Sequence, residues 1–367
     1  MGESPLVLIA AGGTGGHLFP AEALSHALAR RGLAIELATD ARVEGFAKAF
    51  PARATHSLPA ATPSGKGLVG KSAAALTLGL GTLKALALVR RLSPAAVIGF
   101  GGYPTVPPLL AAAMLKVPSL LHEQNAVLGR ANRFLARRVD VIATGFPTLG
   151  SGDTALGAKM LQVGNPVRPS VIDAAKAPFD PPREGDELRL LVFGGSQGAR
   201  IMSDIVPLAV SRLRAPERAR LRIVQQAREE DVQRVRSAYR EAGVTAEIAP
   251  FFRDLPVHMA GSQLVISRAG ASTVAEISVI GRPSILVPLP GSLDQDQAAN
   301  ARSLSSVGAA IMLPQPQFLP DGLASMLAEL LSAPWRLADM AALARKAGIP
   351  DAAERLAELV HRTARLI

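Results

Sequence analysis

Two glycine-rich turns stand in matching surroundings, one in each half of the chain. The apolar run 6–11 (LVLIAA) empties into 12–17 (GGTGGH), and 188–193 (LRLLVF) empties into 194–200 (GGSQGAR). A helical pattern follows each turn. A buried parallel strand that ends in glycines and leads into a helix aims backbone N–H groups, and the positive end of the helix dipole, at a phosphate. Two such turns suit a nucleotide donor on one half and a phosphate-bearing acceptor on the other. His17, closing the first turn, would set an imidazole beside those amides, either to move a proton or to cap and pack locally.

Other clusters fall at strand ends. A third glycine corner, 99–104 (GFGGYP), follows the apolar run at 96. His122-Glu123-Gln124-Asn125 ends another run, with Gly129 and Asn132 just beyond. Neighbours on a strand point to opposite sides, so His122 and Glu123 do not easily share a metal, and hydrogen bonding to sugar or phosphate suits them better. In the second half, 267–273 (SRAGAST) opens a helix, where the N–H groups of Ala271, Ser272 and Thr273 suit a diphosphate. Glu276, one turn on, could accept two ribose hydroxyls, while Ser272 alone would also explain an ordinary capped helix start. Asp294, Asp296, Gln297 and Asn300 fit either a D-x-D metal pair or recognition of sugar hydroxyls.

Positioning these residues requires alternating strands and helices. Short apolar runs and amphipathic stretches alternate throughout the 367 residues, the pattern of βαβ units and parallel sheets. The expected domains are 1–164 and 188–350, joined by a proline-rich linker at 165–187, with a last helix at 351–367. The absence of cysteine excludes disulfides and thiolate metal sites. No basic stretch precedes the run 6–11, so no secretory leader is expected. A net charge of +10 calls for an anionic partner or a solvated basic surface, and one Trp with two Tyr gives little for base stacking, so nucleic acid is not expected. Residues 72–89 are almost wholly apolar, between Lys66 and Lys71 on one side and Arg90-Arg91 on the other. That stretch reads as too short and interrupted to span a bilayer; it is either a core helix or an apolar patch with a basic rim for an anionic membrane surface.

In order, GGTGGH, GFGGYP, HEQN with Gly129 and Asn132, GNPVR at 164–168, GGSQGAR, SRAGASTVAE from 267 and DQDQAANA at 294–301 cover nearly the whole chain. Together they resemble the peptidoglycan N-acetylglucosaminyltransferases of glycosyltransferase family 28. The resemblance implies an α/β GT-B fold: two Rossmann-like doubly wound parallel-sheet domains facing a deep cleft, the last helix returning to the first. It implies an inverting transfer of GlcNAc from UDP-GlcNAc to the MurNAc C4 hydroxyl of undecaprenyl-pyrophosphoryl-MurNAc-pentapeptide (lipid I), giving lipid II, without cofactor or metal. Carried over by position, Phe252 would meet uracil through its backbone and Glu276 the ribose. Ser196, Ala271, Ser272 and Thr273 would hold the diphosphate, and Gln297 with Asp296 the GlcNAc hydroxyls. Asp296 departs from what many relatives carry beside that glutamine. Thr14, Gly15, Gly16, Asn125 and Arg168 would complete the donor-facing contacts. His17 is the expected base, Glu123 the second candidate, and Arg168 and Arg268 would steady the leaving diphosphate. The expected place is the cytoplasmic face of the bacterial inner membrane, as a peripheral protein, with cell-wall elongation and division proteins among the partners to look for.

Rival readings are separable. A related transferase could use another lipid such as diacylglycerol. A nicotinamide oxidoreductase would need a third fingerprint glycine where Leu18 stands. A basic non-catalytic protein would not need Glu276 and Gln297.

Overall fold

The alternating pattern resolves into two parallel sheets, one in each of two compact units: residues 1–168 with 350–367, and residues 169–349. The computed structural model describes residues 4–12, 15–40, 50–62, 67–147, 154–183, 185–195 and 198–366.

Among the described residues, the first unit has strands β1 (Leu6–Ala10), β2 (Ala34–Thr39), β3 (Thr55–Ser57), β4 (Ala96–Gly99), β5 (Ser119–Glu123), β6 (Val141–Thr144) and β7 (Met160–Gln162). Between them run helices α1 (Gly15–Arg30), α2 (Leu68–Leu92), α3 (Val106–Leu115), α4 (Arg130–Leu135) and α5 (Thr154–Gly157). The strand order is β3-β2-β1-β4-β5-β6-β7, all parallel. Strand alternation sends Val7 and Ile9 into a core shared with α1, and Leu8 and Ala10 into one shared with α2, α3 and α4. The sheet is covered on both faces, as parallel sheets require.

α2 is longer than the apolar stretch suggested, with 25 residues, and is long and apolar enough to cross a membrane by length and composition. It is nonetheless a packed helix: Ala85, Leu88 and Val89 are buried in the core cluster it shares with α3. A Cβ at Gly81 would collide with the Pro59 carbonyl, so glycine sets how near α2 can lie. Its other face leaves Leu76, Leu80 and Leu83 more than half exposed.

The second unit begins inside the stretch expected to be a linker. Helix α6 (Pro169–Ala174) packs against its neighbours in this unit through the buried Val171, so 165–187 is not a free connector. Strands β8 (Leu188–Phe193), β9 (Leu221–Gln226), β10 (Thr245–Ala249), β11 (Leu264–Ser267), β12 (Ser284–Leu286) and β13 (Ala310–Met312) form a parallel sheet ordered β10-β9-β8-β11-β12-β13. Its helices are α7 (Arg200–Ser211), α8 (Ala215–Ala219), α9 (Val232–Glu241), α10 (Leu255–Gly261), α11 (Ala271–Ile280), α12 (Asp296–Ser305), α13 (Pro320–Ser332) and α14 (Pro334–Ala347). The chain then returns to the first unit as α15 (Ala352–Thr363), whose Leu356, Ala357, Leu359 and Val360 enter the core beside α1. Arg30 and Arg31 pair with Glu354 and Glu358 at 2.6 Å across that contact. These are surface pairs, so apolar burial does most to hold the helix.

Each sheet reverses its order of growth beside its first strand, between β1 and β4 and between β8 and β11. Loops at the carboxyl ends of strands flanking such a reversal are where open α/β sheets bind ligands.

Candidate functional site

The first of these reversals gathers the turn after β1, the GFGGYP corner after β4 and the HEQN segment at the end of β5. Gly12 lies so near Pro104 that any Cβ would strike the proline ring. Gly101 and Gly102 take φ of +86° and +75°, a region that favours glycine, and pass under the His17 ring. Gly15 and Gly16 open α1, which carries His17 in its first turn. Thr14 lies outside the described residues.

His17 is half-buried, and its Nδ1 lies 3.0 Å from Gln124 Oε1. Burial lowers its pKa, opposed by the Gln124 hydrogen bond and the Phe100 carbonyl, so the ring is neutral at pH 7. Glu123 is buried at 2% exposure. One carboxylate oxygen accepts the Asn125 N–H (2.9 Å) and side-chain amide (3.3 Å), the other the Gly129 N–H (2.9 Å) and the Asn132 amide (2.7 Å). Burial raises its pKa against these four donors. Such a carboxylate shapes the loop 123–132, and both oxygens are engaged by that loop rather than turned to a substrate. Arg168 stacks over Phe19, two residues past His17, with 4.8 Å from guanidinium to ring centroid.

His122 is fully buried between the Gly164 carbonyl and the Gln124 amide, and burial pushes its pKa down to about 4. As pH falls below 6.5 the unfolded chain protonates this histidine while the folded chain does not, so stability falls between pH 6.5 and about 4, by on the order of 3 kcal/mol. Urea unfolding of the first unit at pH 7 and pH 4.5 should show this loss, and His122→Asn should flatten it. An equally steep loss in the variant would assign it to other groups.

In the second unit, the β11–α11 corner is braced from α12. Gln297 Oε1 accepts the N–H groups of Ala269 (3.3 Å) and Leu289 (3.0 Å), and Asn300 donates to the Ala269 carbonyl at 3.1 Å. α11 starts after Gly270 with no side-chain cap among the described residues, so Ser272 lies in the first turn and is not the cap. The N–H groups of Ala271, Ser272 and Thr273 therefore head the helix as donors. Glu276 follows on the same helix, buried at 7% exposure. Asp296 accepts its neighbour Gln297's N–H at 2.7 Å.

Arg268 departs from the expected diphosphate role. Its buried guanidinium donates to the Val287 and Pro288 carbonyls (3.1 Å each) and to Gln315 Oε1 (2.6 Å), tying β11 to the loop after β12. On the other side of β8, Gly194 and Gly195 lead toward α7, and a Cβ at Gly194 would meet the Ala199 backbone. Ser196 lies outside the described residues. Gln226, not singled out by sequence, accepts the Gly194 N–H at 3.1 Å and donates to the Pro250 carbonyl at 3.2 Å. It thereby links the glycine turn to the segment carrying Phe252, which is buried edge-on to His258 at 4.9 Å. Gln124 and Gln226 share one signal in hindsight: an amide, donor and acceptor together, at the end of a buried strand.

Comparison with known proteins agrees with this layout. Residues 7–144 match the glycosyltransferase family 28 N-terminal domain and residues 189–356 the family 28 C-terminal domain. A protein of Methylobacterium sp. (strain 4-46), named UDP-N-acetylglucosamine--N-acetylmuramyl-(pentapeptide) pyrophosphoryl-undecaprenol N-acetylglucosamine transferase, is 60% identical over 98% of this chain and 97% of its own. One of the same name from Rhodopseudomonas palustris is 55% identical over the whole of both chains. Among solved structures, that of MurG from Acinetobacter baumannii aligns with a TM-score of 0.81 at 28% identity, covering 98% of this chain and 99% of its own.

Proposed function

This chain belongs to glycosyltransferase family 28, and from that premise we propose that it moves GlcNAc from UDP-GlcNAc to the MurNAc C4 hydroxyl of lipid I, giving lipid II. The observation that carries the reading is end-to-end likeness to transferases named for that reaction, along the whole of two parallel-sheet units. The enzyme is a hexosyltransferase of peptidoglycan synthesis.

In this reading the C4 oxygen attacks the anomeric carbon from the face opposite UDP, the bond to UDP breaks, and the configuration inverts. His17 Nε2 takes the hydroxyl proton as that bond forms. The N–H groups at Ala271, Ser272 and Thr273, with Ser196 and the glycine turn at 194, offset the charge growing on the leaving diphosphate. Glu276 holds the ribose hydroxyls, the backbone at Phe252 the uracil, and the Gln297 amide, beside Asp296, the GlcNAc hydroxyls. Thr14, Gly15, Gly16, Asn125 and Arg168 keep the donor-facing role that the family resemblance implies. Glu123 is a positioning residue that fixes the loop bearing Asn125.

The membrane contact belongs to α2. Leu76, Leu80 and Leu83 recur at helical spacing on its exposed face, among Lys71, Lys84, Arg90 and Arg91. An apolar stripe within a cationic rim suits the anionic, cytoplasmic face of the inner membrane, where a polyprenyl-linked acceptor resides. Changing all three leucines to serine should lower partitioning into vesicles containing anionic lipid by about tenfold or more. Transfer to a short-chain, water-soluble acceptor should be unaffected. Unchanged vesicle binding would return the stripe to simple surface.

The reaction is tested by transfer of radiolabelled GlcNAc from UDP-GlcNAc to a short-chain lipid I analogue, with a diacylglycerol control and with EDTA. Transfer to lipid I alone, unaffected by EDTA, supports acceptor and metal-free chemistry together. Transfer to diacylglycerol instead would overturn the acceptor assignment.

A further inference from the structure

A chain of four groups runs from a backbone carbonyl to the His17 ring, and its direction is forced. The Gly164 carbonyl can only accept, so His122 Nε2, 3.0 Å away, carries the proton and donates. A neutral His122 then leaves Nδ1 as an acceptor, and the group facing it at 3.1 Å must be the Gln124 amide nitrogen. The same nitrogen lies 3.2 Å from the His122 carbonyl, so two acceptors fix the amide the same way round. Gln124 Oε1 is thereby turned to His17 Nδ1 at 3.0 Å, which must be the protonated nitrogen. His17 Nε2 is left with its lone pair, on the ring edge that passes over Gly102.

The surroundings hold this arrangement in place. Gln124 is 2% exposed, and Asn165 donates to its main-chain carbonyl at 2.9 Å. Asn165 in turn fills the space where Gly145 lacks a Cβ.

We propose that Gln124 is a positioning residue that holds His17 in the Nδ1–H tautomer, leaving Nε2 to receive the proton of the acceptor hydroxyl. The proposal rests on the reading of His17 as the base. The direction set by the Gly164 carbonyl, passed through two side chains, is what makes Nε2 the basic atom. A neutral histidine free in water is not held to Nδ1–H, and a base with its proton on the wrong nitrogen cannot act.

The test is 15N NMR of the full-length protein labelled at its six histidines, with His17→Gln and His122→Gln for assignment. Ring nitrogen shifts should report Nδ1–H at His17 and Nε2–H at His122. Gln124→Leu, with its fold checked by circular dichroism, should release His17 from the pure Nδ1–H form and lower kcat by on the order of 100-fold. The KM for UDP-GlcNAc should not move. Gln124→Glu keeps an acceptor for Nδ1–H, so it should retain the His17 tautomer while forcing His122 to change tautomer or take up a proton. An unchanged His17 tautomer in Gln124→Leu overturns the proposal whatever the activity. A changed tautomer with full turnover supports the tautomer relay but overturns His17 as the base, so the two failures are distinguishable.

Discussion

Replacing His17 by alanine is expected to cut turnover by roughly 10²–10⁴-fold while leaving the affinity for UDP-GlcNAc within about twofold of the original. The imidazole belongs to the first unit, over Gly101 and Gly102, and the donors at the head of α11 belong to the second. Its burial keeps it neutral at pH 7 against the opposing hydrogen bond to Gln124. In the proposed mechanism, removing it takes away the proton acceptor and none of the groups assigned to uracil, ribose or diphosphate. The measurements are steady-state kinetics with a soluble lipid I analogue and calorimetric titration of UDP-GlcNAc. Lost donor affinity at unchanged turnover would make His17 a binding group.

The second large effect is on stability. Arg282 is 1% exposed, and its guanidinium donates to the carbonyls of Ala260, Ile280, Gly281, Ala177 and Pro178 while packing over Phe179. Burial, with Arg345 and Arg189 adding to it, lowers its pKa to about 10, so it is charged at neutral pH and is balanced by carbonyl dipoles. Arg282→Ala should lower the stability of the second unit by about 3 kcal/mol or more, because several buried carbonyls lose their donor at once. Lysine should recover little, since one ammonium cannot reach so many acceptors in one plane. Those carbonyls include the end of α11, so donor affinity should weaken before turnover does. A urea midpoint unchanged in Arg282→Ala would show that the network relaxes onto other donors.

The fold was legible because its signals are local. A strand-sized apolar run, a glycine turn and a helix start recur at β1 and β8, and the family motifs fix their order. What escaped depends on tertiary packing. Prolines hide α6, whose buried Val171 ties it to the second unit, and three-residue β3 is too short to show a period. Sequence could give Arg268 a cationic role but not its direction; the carbonyls after β12 take that charge. Glu123 was readable as a carboxylate near the chemistry, but its four loop donors were not. Gln124 sat in view inside HEQN, yet its part depends on Gly164, forty residues downstream.

The return of α15 to the first unit bears on the order in which the protein matures. Leu356, Ala357, Leu359 and Val360 complete the apolar layer that β1 and α1 begin. On the ribosome, that layer lacks one wall until α15 has emerged. The second unit, whose elements are contiguous from 169 to 349, is whole before then. The half synthesised first is therefore completed after the second, and until α15 docks it exposes apolar surface to chaperones or to a nearby membrane.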